Sequence, residues 1–103
     1  MTGTRRPLAL GIDLGTSGVR SAVIDAEGAV LAMARGSYGT GAEARRDPGC
    51  WWRAVGECLD AQSAALRAAG LDPAGIGAVA VDGTSGSLVL TDAALVPVTR
   101  ALM

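Results

Sequence analysis

The sequence of 103 residues contains no histidine, no lysine and no phenylalanine. Because it has no lysine, it cannot contain the phosphate-binding loop G-x-x-x-x-G-K-[ST]. Because it has no histidine, His-based catalytic triads and most catalytic zinc sites are excluded as well. Its net charge of −1 gives no reason to expect nucleic acid or an anionic membrane surface as a partner.

Cysteine and long apolar runs are also scarce. Cys50 and Cys58 are too few for a disulfide framework, and we expect both to act as small buried apolar side chains. The first apolar run breaks at Asp13, too early for a signal peptide, and no run approaches the length of a membrane span. These absences predict a cytoplasmic protein without a membrane segment.

The apolar half of the sequence is built mainly from alanine, valine and leucine. Its length suits one small domain, and its apolar content is high enough to form a core. The aromatic residues are Tyr38, Trp51 and Trp52. A core of alanine, valine and leucine packs thinly, which indicates that this chain packs against further structure.

Short apolar runs separated by turns predict an α/β domain. A meander of three antiparallel strands is expected first, because tight turns rich in small residues separate the runs. A helix follows, and a fourth strand, apolar throughout, is expected to be buried and to lie parallel to its neighbour through a crossover. The predicted strands cover 8–12, 19–24, 29–34, 76–81 and 87–91, with turns at 13–18, 25–28 and 92–95.

The predicted helix begins at Asp47, which caps the free N–H groups, and Pro48, which suits the first helical position. Gly70 is expected to end it. Apolar and small residues recur at helical spacing and predict an inward face. This face comprises Trp52, Val55, Leu59, Ser63 and Leu66, while the role of Trp51 stays open between lining a ligand cleft and contacting further structure outside this chain.

The turn "DLGTSG" at 13–18 combines residues that suit the phosphate chain of a nucleotide. Asp13 ends a strand and supplies a carboxylate for Mg²⁺. Glycines and successive N–H groups form an anion-binding concavity, to which Arg20 adds a positive charge. The alternative is an ordinary hairpin turn in which Asp13 caps its own backbone. The strands on either side and Arg20 favour the phosphate site.

Three stretches in order resemble the FGGY carbohydrate kinases, which belong to the superfamily of sugar kinases, Hsp70 chaperones and actin. "GIDLGTSGVRSAVIDAEGAVLA" resembles the first phosphate motif of that family, and "RRDPGCWWRAVGECL" resembles the start of its first helix. "IGAVAVDGTSGSLVLTDAALVPVTRALM" is similar to its third landmark. The resemblance covers essentially the whole chain, and the combination of three motifs is far more specific than the first alone.

The resemblance implies a ribonuclease-H-like fold and ATP-dependent phosphorylation of a sugar hydroxyl. It implies that residues 1–103 are the N-terminal part of the first kinase domain. Asp13 would then be the carboxylate on the Mg²⁺ side. The transferring phosphate would face Gly15, Thr16 and Ser17, and Arg20 would contact ATP phosphate.

Family members are several times longer than this chain, so the general-base aspartate, the adenosine pocket and the second domain are expected downstream of Met103. No catalytic residue is therefore expected within these 103 residues, and the chain alone is expected to lack kinase activity. The resemblance is compatible with a homodimer of the parent enzyme.

The second polar turn, at 83–87, is expected to face the sugar through Thr84, Ser85 and Gly86. Xylulokinase-like members resemble G-Q-M-H-G there, whereas "VDGTSGSLVL" is more similar to ribulokinases. A five-carbon ketose is therefore expected, with ribulose ahead of xylulose. The alternative is a structural turn, which is favoured for Asp82 as a cap but not for Thr84 and Ser85.

Other classes of protein would share part of this pattern. A chaperone-type or actin-like ATPase shares the first motif but not the second and third. A sugar sensor on the same scaffold would bind without transferring phosphate. A freestanding interaction domain would use the same turns and unfold cooperatively as a monomer.

Overall fold

The computed structural model describes residues 7–102, which form a four-stranded sheet with a long helix against one face. The strand order is β3-β2-β1-β4. The elements are β1 (Leu8–Leu14), β2 (Gly18–Ile24), β3 (Val30–Ser37), α1 (Ala42–Arg45), α2 (Pro48–Ala68), a 3-10 turn (Pro73–Gly75) and β4 (Ile76–Gly83).

The first three strands form the predicted antiparallel meander. The turn between β2 and β3 is closed by Asp25, whose Oδ1 accepts hydrogen bonds from the amides of Glu27 and Ala29, both at 2.9 Å. Gly28 takes a φ of 82° there, a left-handed conformation that glycine adopts without steric cost. β4 pairs with β1 in parallel after the helical crossover, as predicted.

Helix α2 has the predicted capping at both ends. Asp47 Oδ1 accepts from the Gly49 amide at 2.9 Å, and Pro48 is the first helical residue. At the other end Gly70 has a φ of 78°, and the Leu71 amide donates to the Leu66 carbonyl at 2.9 Å. This hydrogen bond and the left-handed glycine are the Schellman motif, which ends a helix at this place.

The predicted inward face of α2 is wrong at Trp52, which is 79% exposed. The buried face is Ala54, Cys58, Gln62 and Leu66. A Cβ atom on Gly36 would clash with the Ala54 carbonyl oxygen, so α2 approaches β3 more closely than a side chain would allow. This contact between small residues rotates the helix so that Trp52 points to solvent.

The core consists of two clusters between the sheet and α2. One is Leu8, Leu10, Val23 and Leu66, and the other is Val19, Tyr38, Ala54 and Cys58. Cys58 is buried as expected, whereas Cys50 is only partly so, and both are free thiols. The core therefore contains few large side chains.

Strand β4 is not buried, contrary to the prediction. Val79 and Val81 are 58% and 64% exposed. The reason is that α2 packs against β2 and β3 and leaves β4, the edge strand, uncovered.

The strand predicted at 87–91 is also wrong. That segment folds back on the end of the chain and meets it only at two isolated bridges, between Leu88 and Leu102 and between Thr91 and Pro97. The turn between these bridges is the predicted one, in which Asp92 Oδ1 accepts from the amides of Ala94 and Val96. Bridges at isolated positions cannot form the continuous ladder that a strand requires.

Candidate active site

A row of four charged side chains crosses the sheet on the face opposite α2. Register places Asp13 of β1 directly opposite Arg20 of β2 and beside Asp82 of β4, while Arg20 lies opposite Arg35 of β3. Directly paired residues share a face of a sheet, so the order across this face is Arg35, Arg20, Asp13, Asp82. All four residues are exposed.

The turn between β1 and β2, residues 15–17, forms a fixed tip at the end of this row. The Gly15 amide donates to the Gly18 carbonyl at 2.8 Å. Tyr38, a residue of the second core cluster, holds the tip in place, since its hydroxyl donates to the Gly15 carbonyl at 2.9 Å and its amide donates to the Ser17 carbonyl at 3.2 Å. Burial, followed by the negative charge of Asp13, raises the pKa of the Tyr38 hydroxyl above its ordinary value. Tyr38 therefore remains a hydrogen-bond donor at neutral pH.

The exposed tip offers free hydrogen-bond donors. Within residues 7–102 the amides of Thr16 and Ser17 donate to no backbone acceptor, and both residues are exposed. A cavity of about 430 Å³ lies beside them. It is lined by every residue predicted to face phosphate or Mg²⁺, namely Asp13, Gly15, Thr16, Ser17 and Arg20, together with Gly18, Val19, Arg35, Gly36 and Ser37.

Arg35 is a member of this cavity that the sequence interpretation missed. The alternation Met33, Arg35, Ser37 along "MARGS" was the available signal, because it places these residues on one face of β3. The residue of β2 that lies opposite Arg35 depends on the length of the turn at 25–29. The sequence does not show this register, and the structure identifies the partner as Arg20.

Asp82 was predicted to cap its own turn, and the structure pairs it with Asp13 instead. A hydrogen bond between the carboxyl groups and the charge of Asp13 raise the pKa of Asp82, with a smaller contribution from desolvation. Two adjacent carboxyls supply the oxygen ligands that Mg²⁺ takes from proteins when phosphate and water complete its shell. Within residues 7–102 no group of three or more potential metal ligands occurs, so these residues fit such a partly hydrated Mg²⁺ and not a closed protein cage.

The second polar turn is attached to the first by Thr84. Both the amide and the hydroxyl of Thr84 donate to the Leu14 carbonyl, at 3.0 and 3.2 Å. Thr84 thus makes a structural contact of the kind that the alternative of an ordinary turn implies. Ser85 and Gly86 are exposed, and their contact with a sugar stays a prediction.

A smaller cavity of about 120 Å³ lies between the two turns. Trp51 is one wall of it: its indole nitrogen donates to the Arg45 carbonyl at 2.7 Å, and its ring centroid lies 6.5 Å from that of Tyr38. Trp51 thus packs against the residue that holds the first tip and also faces the space beside the second. The other lining residues are Leu14, Gly15, Tyr38, Arg45, Gly83, Thr84 and Ser87.

Comparison with known proteins identifies a family whose sequences match this chain. Residues 8–103 match the profile of the FGGY family of carbohydrate kinases, N-terminal domain. Xylulose kinase from Streptomyces coelicolor is 37% identical over 108 residues, which cover 100% of this chain and 21% of that protein. Within residues 7–102 no helix is both long and apolar enough to span a bilayer.

Solved structures show the same fold. A kinase from Brucella ovis, described as a xyloylose kinase, superposes with a TM-score of 0.81 at 25% identity over 93% of this chain and 20% of its own. Xylulose kinase from Bifidobacterium adolescentis gives a TM-score of 0.75 at 24% identity over 95% of this chain and 18% of its own. The chain thus spans about a fifth of the length of these relatives.

Proposed function

Since the chain belongs to the FGGY family of carbohydrate kinases, we propose that it forms the phosphate-facing part of an enzyme that transfers phosphate from ATP to a sugar hydroxyl. The observation that carries this proposal is the cavity beside the first tip. It brings a carboxylate (Asp13), free tip donors and a guanidinium (Arg20) to one place. Phosphoryl transfer depends mainly on positioning and charge neutralisation, which these groups supply.

Each residue has a separate task in this proposal. The amides and hydroxyls of Thr16 and Ser17 bind phosphate oxygens, and Gly15 leaves the backbone accessible to them. Arg20 offsets negative charge on the phosphates. Asp13, with Asp82 beside it, would hold Mg²⁺, which supplies further charge neutralisation when bound. The general base that accepts the proton of the sugar hydroxyl is proposed to lie in the rest of the enzyme.

The proposed substrate is a five-carbon ketose bound near the second turn. Ser85 and Gly86 are exposed there, and short hydroxyl side chains suit the hydroxyl groups of a sugar. The name of the Streptomyces coelicolor relative supports xylulose. The residues "VDGTSGSLVL" favour ribulose, and both sugars belong in the test. A cytoplasmic location and a homodimer of the parent enzyme stay predictions.

A chimera tests the kinase proposal. We would replace the aligned segment of the Streptomyces coelicolor xylulose kinase with this chain and measure ADP release with xylulose, ribulose and glycerol. We expect phosphorylation of a pentulose. Asp13→Ala and Arg20→Ala should each lower kcat/KM by about 100-fold, since each removes a charge that stabilises the transferring phosphate.

Matched controls are available on the exposed side of α2. Asp60→Ala and Arg67→Ala remove the same charges far from the cavity and should leave kcat/KM unchanged. A folded chimera that phosphorylates no sugar, or full activity in the Asp13→Ala variant, would contradict the proposal. A preference for glycerol would contradict the pentulose assignment alone.

A further inference from the structure

We infer that Arg35 is a second phosphate-binding arginine, which acts together with Arg20 on the phosphate chain of the nucleotide. This deepens the proposed function and rests on it. Arg35 lies on β3, outside the first phosphate motif, and no sequence pattern in that motif points to it.

Strand register places the two arginines next to each other. Arg20 and Arg35 are directly opposite in the antiparallel pair of β2 and β3. Cβ atoms of such pairs lie about 4.5–5.5 Å apart and project from the same face. Both side chains line the cavity of about 430 Å³ that also contains Gly15, Thr16 and Ser17. One ligand in this cavity is therefore within reach of both guanidinium groups.

The two guanidinium groups also lack a charged partner among the described residues. Arg46 donates to the Ala101 carbonyl, and Arg53 and Arg100 form ion pairs with glutamates. Four arginines of the described residues have no ion pair or hydrogen bond to the guanidinium, namely Arg20, Arg35, Arg45 and Arg67. Of these four, Arg20 and Arg35 lie directly opposite each other in the sheet. Even Asp13, which lies directly opposite Arg20 on β1, forms no ion pair with it among the described residues.

Two unpaired like charges directly opposite each other destabilise a sheet. An anion held between them would remove that repulsion and form charge-assisted hydrogen bonds with both. Phosphate fits better than a carboxylate, because it carries more charge and presents oxygens to two planar donors as well as to the tip amides. The pair therefore has the properties of a site for a phosphate chain, in which each arginine is a binding residue.

Titration of the 103-residue chain with pyrophosphate, followed by ¹⁵N NMR, tests this directly. We expect saturable shifts of the amides of Thr16 and Ser17. Arg35→Gln should raise the dissociation constant by about fivefold, as expected for loss of one partly exposed charge-assisted contact. Arg35→Lys should give a smaller increase, because it keeps the charge and loses the planar donor geometry. Arg67→Gln removes an exposed arginine of α2 and should change nothing.

Thermal unfolding adds a second measurement, in which Arg35→Gln should stabilise the chain although it weakens pyrophosphate binding. Without anions, Arg35→Gln should raise the Tm of the chain at low salt, because the repulsion with Arg20 is removed. Pyrophosphate should raise the Tm of the wild type more than that of Arg35→Gln. A variant that merely damaged the sheet would lower the Tm under both conditions. Absence of shifts at the tip, or equal affinities for wild type and Arg35→Gln, would overturn the inference.

The chimera described above separates this inference from the kinase proposal. There Arg35→Gln should raise KM for ATP and leave KM for the sugar unchanged. If the chimera phosphorylates the sugar and Arg35→Gln leaves KM for ATP unaltered, the inference is wrong and the kinase proposal stands. If the chimera is inactive, the kinase proposal fails, and Arg35-dependent binding of pyrophosphate still supports the anion site.

Discussion

The carboxyl group of Asp82 illustrates how one residue acquires its chemistry from a neighbour on another strand. Among the residues that the structure describes, its side chain accepts no hydrogen bond from a backbone amide, and its neighbour across the strands is Asp13, about seventy positions earlier in the chain. The hydrogen bond and the charge of Asp13 favour the protonated form of Asp82, which raises its pKa. A positive ion between the two groups would reverse this preference.

The raised pKa of Asp82 predicts that Asp82→Asn stabilises the chain at neutral pH. Below the ordinary value of 3.8 the group is protonated in both folded and unfolded states, so the substitution has no effect there. As the pH rises through the raised pKa, the wild type must ionise Asp82 beside Asp13 and loses stability. The Tm difference between Asp82→Asn and wild type should thus be near zero at pH 3 and positive at pH 7.

The Tm difference should be small, because Asp82 is fully exposed to solvent, and it should shrink in high salt. Asp60→Asn, an exposed change on α2, should show no such pH dependence. A Tm difference that is the same at both pH values would contradict the assignment.

At the scale of elements, the position of α2 depends on the absence of side chains. The Ala54 carbonyl occupies the space that a Cβ on Gly36 would need, so the two elements touch through backbone. The buried groups around this contact include a polar pair in which Ser21 donates to Gln62 Oε1 at 2.8 Å. The helix is thus positioned by one close approach and one buried hydrogen bond beside its apolar contacts.

Gly36→Ala should therefore separate α2 from β3 and lower the free energy of unfolding by about 1–3 kcal/mol, the usual cost of overpacking. Gly56 is the matched control, since a Cβ there has open space on the outer side of the same helix. Gly56→Ala should raise the free energy of unfolding by about 1 kcal/mol through helix propensity. Urea denaturation of both variants measures these changes, and equal effects of the two would contradict the close-packing account.

The sequence predicted those elements whose causes are local. The alternation of side chains, the turn at 25–28 and the capping residues Asp47 and Gly70 are each readable within a few positions. The sequence could not predict which face of α2 points inward, because this depends on a contact between Gly36 of β3 and Ala54 of α2. Arg35 was missed for the same reason, since its meeting with Arg20 is a property of strand register.

The whole molecule is elongated, with extents of 52 × 29 × 21 Å, and it leaves apolar surface at the β4 edge. The thin core expected from its small side chains fits this shape, because α2 covers only part of the sheet. Val79 and Val81 lie on the side of the sheet that bears α2, where no described element covers them. An uncovered edge strand with exposed valines invites pairing with another chain.

This surface predicts that the 103-residue chain self-associates through β4 as its concentration rises. Val81→Lys should shift the sedimentation coefficient towards that of a monomer, because a charge on an edge strand opposes pairing. Val30→Lys is the control, since Val30 is 58% exposed at the start of β3, on the opposite edge of the sheet. Equal self-association of wild type and Val81→Lys would show that another surface is responsible.

The two hydrogen bonds that Thr84 makes to the Leu14 carbonyl have a consequence for how distances are kept across the molecule. They fasten the second turn to the end of β1, from which the first tip projects. The two turns are therefore expected to move together as one rigid unit. In the proposed enzyme, the hydrogen bonds to the Leu14 carbonyl would fix the distance between the turn that binds the phosphate donor and the turn that binds the acceptor sugar. Closure of the active site around both substrates would then require movement of the rest of the protein.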